Sequence, residues 1–192
     1  MIVDDDLLLQ EAEGACQQVI NDLARKAVRH NCLVALEKLV VLFDYEDGYY
    51  IEHMNTPAGE AVVHENTAAL ECIARVCPAS LDVKGDGDRL PIHDAAIRGN
   101  LDALHIIVAA SAVGKQNLCA TTYDGLTPAI FAALYNRRPF LQYVLDHSPR
   151  GALAELQQKT DYDQTMLQMV DRKNKPFIRA LLRHYQRRMP EK

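Results

Sequence analysis

No stretch of this 192-residue chain is apolar for long enough to cross a bilayer. The longest nearly apolar run, Ile106 to Gly114, is about half of what a span needs. The N-terminus lacks the basic lead of a secretory signal; Asp4, Asp5 and Asp6 precede Leu7, Leu8 and Leu9 instead. No Gly/Pro-rich or single-residue tract marks disorder. The five cysteines (Cys16, Cys32, Cys72, Cys77, Cys119) contain no CxxC pair and are odd in number, so the expectation is reduced thiols packed as small apolar groups. What remains is an ordinary soluble composition, 48% hydrophobic and 24% charged, in a chain of one domain's length.

Charge is abundant but unevenly placed. Between residues 171 and 192 stand Arg172, Lys173, Lys175, Arg179, Arg183, Arg187, Arg188 and Lys192 against only Asp171 and Glu191, a local charge of +6. With a total of −5, the other 170 residues carry −11. An acidic body of this kind repels nucleic acid along most of its length, so no nucleic-acid partner is expected.

One short string recurs. It reads Ala35-Leu36-Glu37-Lys38-Leu39-Val40, Ala69-Leu70-Glu71-Cys72-Ile73-Ala74, Ala103-Leu104-His105-Ile106-Ile107-Val108, Phe140-Leu141-Gln142-Tyr143-Val144-Leu145 and Phe177-Ile178-Arg179-Ala180-Leu181-Leu182. The copies are spaced by 34, 34, 37 and 37 residues. Apolar second, fifth and sixth places give each copy one buried stripe on a helix. Spacing of this regularity predicts a repeat architecture.

A second string lies upstream of the copies. Arg89-Leu90-Pro91-Ile92-His93-Asp94-Ala95-Ala96-Ile97-Arg98-Gly99 closely resembles the ankyrin signature T-P-L-H-x-A-A-x-x-G. Asp124-Gly125-Leu126-Thr127-Pro128-Ala129-Ile130-Phe131-Ala132-Ala133-Leu134-Tyr135-Asn136 is similar to it as well. Thr56-Pro57 opens an earlier version and Thr165-Met166 a later, eroded one. Thr can cap the helix, and Pro at its first position loses no hydrogen bond. Paired alanines let neighbouring helices approach closely. Gly99 and Asn136 suit a left-handed turn, and Asp124-Gly125 suits the tip of a projecting finger.

The chain is therefore identified as an ankyrin-repeat protein. The resemblance implies an all-α solenoid of stacked helix pairs with short hairpin or loop fingers, preceded by an acidic N-terminal lead-in over 1–17. The repeat domain spans 18–192, with units near 18–52, 53–86, 87–123, 124–160 and 161–192. The first and last units, which lack the Thr-Pro pair or its Pro, read as caps. The linkers 109–123 and 146–160 exceed a minimal unit by about four residues each, enough for an extra helical turn or a protruding loop. Asp88 in the turn-Gly place predicts a distorted third finger.

Catalytic and metal patterns are weak. Cys32 follows His30, but no third group orients that histidine. His93 holds the signature position that, in this family, ties one unit to the next. His53, His64, His105, His147 and His184 have no metal spacing. Asp82 to Asp88 is similar to a calcium loop, but Lys84 occupies a ligand place and His93 replaces the bidentate Glu. Ala109 to Gln116 ends in Gly-Lys without the first Gly or the Ser/Thr of a phosphate loop. Neither a catalytic set, a cofactor nor a metal is expected.

The resemblance implies a non-enzymatic module or adaptor that binds another protein through its groove and fingers. The alternative is a pathogen effector acting on a host protein, or an enzyme or enzyme subunit. The implied contact residues are Ile97, Arg98, Tyr123, Leu126, Leu134, Tyr135 and Tyr162, with Val63, His64, Asp124, Asp161, Arg172 and Lys173 at equivalent places. The acidic, Tyr-rich stretch 44–50 reads as the first finger, either contacting a basic partner or forming a solvated turn. The basic C-terminal segment reads as a capping helix with Phe177, Ile178, Leu181, Leu182 and Tyr185 inward, or as a sorting signal or anionic contact. The expected compartment is cytoplasmic, or a host cytosol for an effector, with the nucleus left open by the basic helix.

Overall fold

In the computed structural model, residues 3–42 and 56–188 are described. The proposed first finger at 44–50 lies outside them. Five helix pairs follow one another: α2 (Gln17–His30) with α3 (Leu33–Leu42), α4 (Pro57–Val63) with α5 (Thr67–Val76), and α6 (Pro91–Arg98) with α7 (Leu101–Ala110). They continue as α9 (Pro128–Leu134) with α10 (Arg138–His147), and α12 (Met166–Met169) with α13 (Lys175–Arg187). The first helices form one layer in which α2, α4, α6, α9 and α12 each touch the next. Among the second helices, α3 packs on α5 and α5 on α7. Among the described residues the only β feature is an isolated bridge between Lys159 and Thr165.

The recurring string accounts for the core. Leu36, Leu39, Leu70, Ile73, Leu104, Ile107, Leu141, Val144, Ile178 and Leu181 are all buried. The weakest stripe residue, Ala74, is only half-buried, as are Val108 and Leu182. Burying such side chains is the main stabilising term, at roughly 1.5–3 kcal/mol each. The alanine pairs behave as steric permits: Ala95, Ala96 and Ala132 are fully covered where α6 lies on α9.

Both long linkers contain helical turns rather than loops. The first holds α8 (Gly114–Asn117) and the second α11 (Ala152–Gln157). The N-terminal lead-in holds α1 (Asp5–Ala12), which packs on α2 and α3 and buries Leu8 completely. Asp5 Oδ1 accepts a 2.6 Å hydrogen bond from the Ala35 amide near the start of α3. One acidic residue of the lead-in thus serves as a helix cap.

Helix ends follow the expected chemistry. Thr56 and Thr127 accept from the Gly59 and Ile130 amides at 3.0 and 3.3 Å. Left-handed residues stand at Asn31, Glu65, Gly99 and Asn136, ending the first helix of each of units one to four. At two of the four positions the next residue has a second use. Asn66 donates to the Val28 carbonyl at 2.9 Å, and Arg137 Nε donates to the Ile97 carbonyl at 2.9 Å, each reaching back into the preceding unit. These ties satisfy carbonyls that a helix end leaves open.

Candidate functional site: the finger row and groove

The fingers of units three to five share one frame. The first residue of a five-residue turn donates its amide to the carbonyl of the fifth: Gly85 to Arg89 (2.8 Å), Thr122 to Leu126 (3.0 Å) and Thr160 to Gln164 (2.9 Å). The fourth residue is left-handed in each, as Asp88, Gly125 and Asp163. Thr122 and Thr160 close their turns further, each hydroxyl accepting from the fifth amide. The third finger, which starts at Gly85 and so has no hydroxyl, keeps the backbone closure although Asp88 replaces Gly. Its departure is a second left-handed residue, Gly87, within a short 3-10 turn over Asp86–Asp88. Asp tolerates that conformation because its short polar side chain bonds locally.

Adjacent fingers are joined. Tyr123 donates its amide to the Gly87 carbonyl at 3.1 Å, and Asp161 donates to the Asp124 carbonyl at 3.2 Å. The Tyr162 hydroxyl donates to Asp124 Oδ1 at 3.0 Å, spanning the fourth and fifth fingers, and that carboxylate pushes the phenol upward in pKa. The row is thus fixed from its backbone outward.

The residues implied by the family divide into two groups. Tyr123, Tyr135 and Tyr162 are 76%, 52% and 70% exposed, and Arg98 is also exposed. Ile97, Leu126 and Leu134 are half-buried and rest against the core. Two of the tyrosines share the finger row, whereas Tyr135 caps the end of α9, its amide donating to Phe131. Large apolar surface left in water at such positions costs free energy that the fold does not recover.

His93 ties units together. Its ring is fully buried; Nδ1 accepts from the Leu90 amide at 3.0 Å, while Nε2 lies 3.1 Å from the Ala120 carbonyl and donates to it. The two partners fix a neutral ring, and burial holds its pKa down at about 4. Since Leu90 stands in the Thr place, the His93 ring supplies a backbone contact at the helix start.

Two acids escaped the sequence reading. Glu60 on α4 and Asp94 on α6 occupy equivalent places 34 residues apart and are both about 5% exposed. Glu60 meets Arg29 (3.2 Å), His64 (3.2 Å) and Arg25 (3.5 Å); Asp94 has Arg89 at 3.7 Å. Burial raises the Asp94 carboxyl to about 6 against the pull of Arg89 and Arg98. The available signal was a charged residue within an apolar-flanked helix, repeated at the unit spacing.

The chemistry-bearing pairs of the sequence do not assemble. Cys32 is buried and its sulfur faces the carbonyls of Val3 and His30, at 3.7 and 3.8 Å. Burial pushes that thiol, and those of Cys72, Cys77 and Cys119, upward in pKa. Among the described residues, no group of three or more His, Cys, Asp or Glu side chains is placed to hold a metal ion. Also among them, no helix is long and apolar enough to cross a membrane.

A stack of helix pairs with a bonded row of projecting turns defines a helical repeat solenoid. Residues 92–145 match the family model for ankyrin repeats (many copies), a finding consistent with an ankyrin-repeat protein. The matched stretch runs from α6 to α10 and holds the two most complete signatures. No curated protein matches the chain. Ankyrin repeats generally mediate protein–protein interaction.

Proposed function

We propose that this chain is a non-enzymatic adaptor that holds a partner protein against the fingers of units four and five and the groove of units three and four. The observation that carries the reading is the exposure of Tyr123, Tyr135 and Tyr162 on a bonded framework. Tyrosine offers large contact area with few rotors, so it contributes binding energy at low entropic cost. Tyr123 and Tyr162 stand beside Asp124 and Asp161, so the finger end of the surface suits a partner presenting cations together with apolar groups. Arg98 gives the groove end a charge of opposite sign. The five cysteines, none of them paired, suit a reducing, cytosol-like compartment.

The position of Leu134 dictates how the surface is tested. It lies against the core, so a charge there would damage packing as well as binding. The informative variant combines Tyr123→Ala, Tyr135→Ala and Tyr162→Ala. Affinity capture from the native cell, quantified by mass spectrometry, is expected to lose its specific proteins with this variant while helicity and melting stay unchanged. Retention of the same proteins would sink the assignment.

A further inference from the structure

The last helix, α13, carries Lys175, Arg179, Arg183 and Arg187 and no acid, and Arg188 follows it. Its apolar stripe is spent inward, with Ile178 and Leu181 buried and Phe177, Leu182 and Tyr185 against the core. None of these cations forms an ion pair among the described residues. A capping helix needs a solvated outer face, but nothing in capping requires that face to be of one sign.

A cleft of about 380 Å³ opens between α11 and α13, and of the C-terminal cations only Arg188 lines it. Ala152, Leu153 and Ala154 give it apolar lining, Tyr185 adds an aromatic wall, and Arg150 and Arg188 flank it. The Tyr185 hydroxyl is already committed, donating to Asp146 at 2.8 Å. Arg150 donates to Gln158 at 3.0 Å, which holds the guanidinium without neutralising it. Two carboxylates, Glu155 and Asp146, act on Arg150 and Arg188 without forming an ion pair with them among the described residues. Glu155 is buried and accepts from Ser148, and Asp146 is held by Gln142 and Tyr185.

A lipid surface or a polynucleotide would engage the charges but leave the cleft idle, because the apolar stripe of α13 is locked inside the stack and cannot insert. An acidic polypeptide with one large apolar side chain uses both features. We propose that the α11–α13 cleft forms a second docking surface, for an acidic segment of a partner protein that seats one bulky apolar side chain between Arg150 and Arg188. Guanidinium forks grip carboxylates in pairs, and the apolar lining rewards the anchor.

The probe is a short fluorescent Glu-rich peptide with one central phenylalanine, titrated into the full chain by anisotropy at low salt. The same peptide with serine for phenylalanine serves as comparison. Binding is expected, weaker by about tenfold for the serine peptide and by about tenfold or more for the Arg150→Glu, Arg188→Glu variant. The Tyr123, Tyr135 and Tyr162 triple variant is expected to bind the peptide normally, so failure of the finger surface and failure of this one are separable. Equal binding of the two peptides, no peptide binding at all, or tighter binding to phosphatidylserine vesicles or a polynucleotide overturns the proposal.

Discussion

Asp94 and His93 are neighbours on α6, both buried, with pKa values displaced in opposite senses. For Asp94 the folded value is about 6 against an ordinary 3.8, so the folded state holds the extra proton between those values. Stability from this group therefore falls as pH rises through that window. The difference of about two units corresponds to about 3 kcal/mol lost by pH 7. For His93 the folded value is about 4 against 6.5, so the unfolded state binds the extra proton. Its contribution is lost as pH falls from 6.5 towards 4, by a similar amount. The two slopes nearly cancel in the wild type. Asp94→Asn removes one of them, leaving His93 uncompensated. Urea unfolding followed by helical circular dichroism across this range is the assay. The variant is expected to gain about 3 kcal/mol relative to wild type between pH 4 and pH 7, and to lose stability steeply on acidification. Parallel stability curves for the two proteins would refute the reasoning, because they would mean that Asp94 ionises as freely in the fold as outside it.

Two packing predictions follow from other parts of the stack. Phe140 is fully buried at the start of the fourth repeated string, so Phe140→Ala is expected to cost about 3–5 kcal/mol in the same urea assay. Gly125 sits at φ +74°, and an added Cβ would lie 2.8 Å from the Asp161 amide nitrogen. Gly125→Ala is therefore expected to cost about 1–3 kcal/mol and to accelerate amide exchange at Asp161, whose bond to Asp124 joins the two fingers.

The repeat and most of its core were legible because burial follows position in the string; Leu36, Leu70, Leu104, Leu141 and Ile178 occupy one place and are all buried. Gly99 and Asn136 were legible because few residues adopt a left-handed turn cheaply. Glu65 adopts the same conformation without any such signature, as does Asp88, whose finger keeps its closing backbone bond but departs from the others in a 3-10 turn with a second left-handed residue, Gly87. Both are set by the closing hydrogen bonds of their turns, which only the assembled backbone supplies. The helix α1 escaped notice because only two of its side chains, Leu8 and the small Ala12, are buried, too little for a periodic pattern. For the candidate site, residue type and register located the exposed tyrosines. They did not separate these from Ile97, Leu126 and Leu134, whose half-burial depends on neighbouring units. The inter-unit reach of Arg137 and the cleft beside α13 arise between segments distant in sequence and leave no local mark.

The account centres on the exposed tyrosines as the contact surface, and tyrosine footprinting of the chain with its captured partner tests that most directly. Tyr143, half-buried and in edge contact with the His105 ring at 5.0 Å, serves as the internal reference. The account predicts that Tyr123, Tyr135 and Tyr162 become protected on complex formation while Tyr143 labels at an unchanged rate. Unchanged labelling of those three tyrosines in the complex would contradict it.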